Sequence, residues 1–173
     1  MQQPIFAPES SWSIPAVFPT FDERETIAID LETYDPHLMT CGPGWATNRG
    51  YIVGIGVATK DWKGYFPIRH EGGGNLDADI TLRWLRNTLS SSKRKVIFHN
   101  ALYDVGWLRR EGVDVKGQIL DTIVAAPLIN ENRYSYSLDN LGSHYCDEKK
   151  DESLLQDAAL AFGINPKSQM YKL

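Results

Sequence analysis

The chain has 173 residues, of which 42% are hydrophobic and 23% charged; this suits one soluble domain with a core of its own. A net charge of −4 and a pI near 5.5 argue against a protein that coats nucleic acid by charge alone, but leave room for an acidic site that meets a polyanion through divalent cations. The start, MQQPIFAPESSWSIP, has neither a basic nor an apolar leader segment, and no apolar run approaches the ~20 residues of a membrane helix. Cys41 and Cys146 fit no zinc spacing and read as reduced thiols.

In chain order, residues 1–24 are rich in Pro and Ser with scattered aromatics, which predicts an irregular arm ahead of a domain over 25–173. Thr26 to Thr33 (TIAIDLET) reads as a buried strand ending in carboxylates. Tyr34 to Gly50, with Pro36, Gly42, Pro43, Gly44 and Gly50, reads as a loop. Tyr51 to Thr59 and Trp62 to Ile68 read as two strands joined by a tight Lys60-Asp61 turn, an antiparallel hairpin. After the glycines at 72–74, Ile80, Trp84, Leu85 and Leu89 recur at helical spacing from Asp77 onward. Lys93, Arg94 and Lys95 read as a solvated basic turn leading into a short strand, Val96 to Phe98. Asn100 is the expected N-cap of a helix from Ala101 to Glu111, stopped by Gly112. A strand at Gln118 to Asp121 and helices at Thr122 to Ile129, Ser137 to Tyr145 and Leu154 to Phe162 complete the pattern. The fold class is α/β, a mixed sheet that starts with an antiparallel hairpin, continues with parallel strands and carries helices packed on it.

Chemistry concentrates in two places. In Asp30-Leu31-Glu32, the period of two puts both acids on one face of the strand with Leu31 on the other. Two carboxylates so close repel unless protons or cations intervene, and hard divalent ions are the natural partners. In VIFHNALYDVGWL (96–108), Asp104 falls in the first turn of the helix. If this strand runs parallel to the first, both sets of acids emerge at one sheet edge. The ordinary readings are a solvated strand end and an acid serving the helix dipole.

Together these elements resemble the first two motifs of the DEDD superfamily of 3′–5′ exonucleases, with the greatest likeness to the proofreading domain of A-family DNA polymerases, bacteriophage ones included. The segments QILDTIVAAPLI (118–129) and SLDNLGSHY (137–145) are similar to later segments of the same family, in the right order. The resemblance implies an RNase H-like sheet and a metal-dependent 3′–5′ exonuclease. It assigns Asp30, Glu32 and Asp104 to catalysis and to two divalent cations, Mg²⁺ or Mn²⁺, and Thr33, Asn100 and Tyr103 to the substrate. Asp121 is expected to have a supporting role. The implied partners are a single-stranded or frayed DNA 3′ end and a polymerase domain, in a bacterial or phage-infected cytoplasm.

The family's third motif, Tyr-x-x-x-Asp or His-x-x-x-x-Asp, does not occur at any tyrosine or histidine of the later chain: Tyr134, Tyr136, His144 and Tyr145 are all followed by other residues at the required spacing. The resemblance therefore implies an N-terminal piece of a longer polymerase, weakly active by itself. The rival readings are an exoribonuclease of the RNase D kind and a catalytically silent domain that positions DNA or a polymerase partner.

Overall fold

A computed structural model describes residues 12–165 and 169–173. The first eleven residues of the expected arm and positions 166–168 of the tail lie outside the described residues. The elements are β1 (Ile27–Tyr34), α1 (Leu38–Cys41), α2 (Gly44–Thr47), β2 (Tyr51–Ala58), β3 (Lys63–Pro67), α3 (Ala78–Thr88), β4 (Lys95–Phe98), α4 (Ala101–Arg110), β5 (Gln118–Asp121), α5 (Thr122–Ile129), α6 (Leu138–Tyr145) and α7 (Ser153–Phe162), with a closing 3₁₀ turn at Met170–Lys172.

Five strands form one sheet in the order β3-β2-β1-β4-β5. The hairpin strands pair antiparallel with β1, whereas β4 and β5 run parallel to it. The strand-helix-strand stretches 95–118 and the crossover through α3 explain the parallel half, since parallel neighbours need a long connection. Alternation in β1 buries Ile27, Ile29 and Leu31 on one face. There they meet Leu82, Leu85 and Leu89 around α3, and Trp107 and Leu108 of α4, in a single hydrophobic cluster. In α4 the inward residues Ala101, Asp104, Trp107 and Leu108 follow helical spacing, with one carboxyl among the apolar groups.

The arm is stitched to this body. Phe18 stacks on Phe66 at 5.6 Å between ring centres, and the Trp84 indole donates to the Pro19 carbonyl at 2.8 Å. Arg94, expected on a solvated turn, is 3% exposed; its guanidinium donates to the carbonyls of Thr88, Glu25 and Phe21. A buried cation is tolerable only with such partners, so this residue fastens the arm. The expected loop after β1 also differs: it contains α1 and α2. Asp35 accepts from the Gly44 amide at 2.9 Å, which fixes the start of α2.

Candidate active site

Asp30 and Glu32 stand on the face of β1 opposite its apolar residues. Their Cα partners on β2 are Gly56 and Gly54, and a bulge follows directly, between Glu32 and Thr33. Bulges of this kind re-aim side chains at the end of a paired stretch. The two glycines leave the neighbouring strand bare beside the acids.

Asp104 completes the group through a specific backbone need. Strand β4 pairs with β1 only at Ile27 and Ala28, then leaves the sheet at Phe98. Beyond that point β1 has lost its neighbour, and the Leu31 amide would be orphaned on that side. Asp104, 4% exposed, fills the gap: its Oδ1 accepts from the Leu31 N–H at 3.2 Å. The carboxyl thus lies against the backbone between Asp30 and Glu32.

Burial and mutual repulsion shape the charges. Loss of hydration pushes Asp104 up to about 7, with Asp30 adding to the rise and the Leu31 amide opposing it. Asp30 and Glu32 are also raised, first by partial loss of hydration; Asp30 adds to the rise of Glu32. Asp30 as a residue is open to solvent. The Lys150 ammonium acts on both acids in the opposite sense, and His99 does so on Asp30. Asp30 lines a cleft of about 540 Å³ over the open face of the sheet, with Ala28, Gly56, Tyr65, Ile97 and His99 among its walls.

The remaining expected residues divide differently. Asn100 is the residue before α4, but it sits in the left-handed region at φ 74° and its side chain makes no capping bond. The cap comes from Asp121, whose carboxylate accepts from the amides of Asn100 at 2.9 Å and Ala101 at 2.8 Å, and from Ile123 at the start of α5 at 3.1 Å. One acid therefore caps two helices. The Tyr103 hydroxyl donates to Asp35 Oδ2 at 3.0 Å and lies 2.9 Å from the Thr33 hydroxyl; the pair ties the end of β1 to α4. Three neighbours of the acids escaped the sequence reading: Lys150, Tyr65 and His99. Helical or strand periodicity gives no signal for them, because each arrives from a distant element.

Among the described residues no three Asp, Glu, His or Cys side chains converge closely enough to make a ready metal cage. The donor set nonetheless fits hard divalent cations in kind: oxygen donors only, crowded enough that their acidity is suppressed. Cations held here would share water and substrate oxygens with these carboxylates, as Mg²⁺ commonly does.

Residues 17–169 match the 3′–5′ exonuclease family of A-type DNA polymerases. The chain is 37% identical over 180 residues to a DNA-directed DNA polymerase of Pseudomonas phage M6, covering 100% of this chain and 27% of that protein. It is 31% identical over 150 residues to the DNA polymerase DpoZ of Salmonella phage PMBT28, covering 86% and 21%. It spans about a quarter of the length of such relatives. Among solved structures, Brucella melitensis NrnC with bound Mg²⁺ superposes with a TM-score of 0.56 at 17% identity, covering 90% of this chain and 69% of that one, a likeness of fold. The sheet order, the acid-bearing first strand and a match over nearly the whole described length place the chain in the 3′–5′ exonuclease family of the A-type DNA polymerases.

Proposed function

We propose that this domain removes nucleotides from the 3′ end of DNA as the proofreading part of a phage-type DNA polymerase, with Asp30, Glu32 and Asp104 as its catalytic, cation-binding acids. The observation that carries the reading is the bond from the Leu31 amide to Asp104, which sets a third carboxyl against the strand between the other two. Asp30, in the open cleft, and Glu32, on the same face of β1, would hold the cations and the attacking water, while Asp104 would serve from below. Divalent ions at these acids would offset the charge of the phosphate and lower the pKa of bound water. Asn100, turned outward by its left-handed backbone, is the residue assigned to the terminal nucleotide. Thr33 and Tyr103, whose hydroxyls are engaged with each other and with Asp35, hold the strand end in place. The curated relatives that match over most of this chain are DNA polymerases, which favours DNA over RNA as substrate.

Three carboxyls of a four-acid set imply slow hydrolysis by this chain. The test is incubation of 3′-recessed and single-stranded DNA, and of RNA of the same sequence, with Mg²⁺ or Mn²⁺. We expect a ladder shortening from the 3′ end of DNA, reduced by about 10³-fold or more in Asp30→Ala. Equal or faster shortening of RNA would favour an exoribonuclease, and no shortening of any strand a silent domain.

A further inference from the structure

The outer face of α4 carries a groove that the reading above leaves unused. Leu102, Val105, Gly106 and Arg109 recur three or four residues apart, which lines them along one side of the helix. The packed side is the one that holds Ala101, Asp104, Trp107 and Leu108. Leu102 is apolar yet 75% exposed. Trp45 of α2 leans over the row: a β-carbon at Gly106 would meet the indole at Cε2, Cδ2 and Nε1, at 2.4, 2.5 and 2.6 Å. Three ring atoms at nearly one distance mean that the indole lies face-on against the helix. With Arg109 and Arg110, these residues border a groove of about 370 Å³.

The wall made by α2 is fixed in place. The Gly44 amide donates to Asp35 Oδ2 at 2.9 Å, and Arg110 Nη1 donates to the carbonyls of Gly44 and Arg49, both at 3.0 Å. The Arg110 guanidinium also lies 5.2 Å from the centre of the Trp107 ring. Asp35 accepts from the Tyr103 hydroxyl as well, and Tyr103 precedes Asp104, so the clamp on α2 is joined to the acid site. Gly106 serves the same wall from the helix side. Glycine inside a helix is destabilising relative to alanine, yet alanine here would push the indole off its seat.

The charge of the groove opposes that of the chain. The net charge is −4, but the consecutive residues Arg109 and Arg110 both border the groove, and among the described residues neither is ion-paired. The helix dipole favours cations in this last turn, but it does not call for an exposed leucine and a seated indole beside them. Arginines next to flat apolar surface suit a ligand that alternates anionic and aromatic groups, which is an unpaired nucleic-acid strand. The row begins two residues after Asn100, the residue assigned to the terminal nucleotide. From Leu102 to Arg109 it runs about 10 Å along the helix, enough for two or three stacked nucleotides at ~3.4 Å each. We propose that this groove is a second strand-binding subsite: Trp45 and Leu102 take unstacked bases upstream of the 3′ terminus, and Arg109 takes a phosphate between them. The inference rests on the function proposed above. It gives the domain a grip on the strand that needs no divalent cation.

The test on the 173-residue chain is fluorescence anisotropy of a labelled, single-stranded oligothymidylate in chelator, where nothing is cut. Arg109→Gln is expected to weaken binding and to lower the slope of log affinity against log salt by about 0.7. Lys116→Gln, the same charge change at an exposed residue away from the groove, is expected to behave as wild type. Trp45→Leu, and Gly106→Ala, which unseats the indole without removing it, are each expected to weaken binding about tenfold, and to leave binding of an abasic strand of the same length unmoved. In Mg²⁺, KM for the oligothymidylate is expected to rise in these variants by more than kcat falls. An abasic strand or a blunt duplex bound as tightly as the oligothymidylate, or equal losses in Lys116→Gln and Arg109→Gln, overturns the subsite. Preference for an acidic peptide over DNA also overturns it and assigns the face to a protein partner. Shortening of DNA in Mg²⁺ without any strand binding in chelator, or with KM unmoved in the variants, overturns the subsite and leaves the exonuclease reading standing. Binding that depends on Arg109 and Trp45, without shortening in Mg²⁺ or Mn²⁺, supports the strand contact and overturns the exonuclease reading.

Discussion

The two sides of β1 share one backbone and differ in almost everything else. On one side Ile27, Ile29 and Leu31 meet α3 and α4 and exclude water. On the other, Ala28 and Asp30 line an open cleft and Glu32 shares their face, with a glycine across from each acid. Burial of the first side stabilises the strand at roughly 25 cal/mol per Å² of apolar surface. That stability is what lets the second side keep acids that repel one another. Asp104 is the exception that joins the sides: it belongs to the packed helix yet reaches the acid side through the edge that β4 vacates.

If the division holds, the greatest loss comes from the packed side. Trp107, fully buried between α4 and the sheet, should cost about 3–5 kcal/mol when changed to Ala, read as a lower urea midpoint with an unchanged slope. A loss under 1 kcal/mol would mean that the helix layer is not what holds β1. Next is Asp104→Asn, which should do the opposite in chelator. The Asp104 carboxyl is raised from 3.8 to about 7, so its folded form is favoured below pH 4 and that advantage is lost as pH rises through about 7. The amide variant keeps an acceptor for Leu31 and escapes this loss. It should exceed wild type by on the order of 2–3 kcal/mol at pH 8 and approach it at pH 5; equal pH profiles would show that Asp104 is not strained by its surroundings. The smallest effect belongs to the rim. Asp121→Ala removes acceptors from the starts of α4 and α5 and should cost about 1–2 kcal/mol, with amide exchange quickening at both helix starts. Quickening at α5 alone would mean that α4 is capped some other way.

What could be read from the sequence follows the range of the forces involved. Strand β1 and the pairing of its acids rest on alternation, and α3 on helical spacing, so both were legible from neighbours a few residues away. The parallel and antiparallel halves followed from connection lengths. The roles of Asp121 and Arg94 were not legible in that way. Asp121 caps a helix twenty residues earlier, and Arg94, in the middle of a basic run, is buried because carbonyls of the arm come to it. Asn100 was in the right place for a cap, but a left-handed backbone turns its side chain away. Tyr65 was hidden for a further reason: the approach of its phenol to the acid side of β1 depends on the sheet register and on a strand position, Gly54, that has no side chain at all.

That last position has a consequence for how mutations would be interpreted. Any residue other than glycine at 54 brings a β-carbon into the space taken by the phenol tip, so the ring must swing away before anything else changes. A scan of substitutions there would report the eviction of Tyr65, and would map onto a residue eleven positions downstream whose own codon had never been touched.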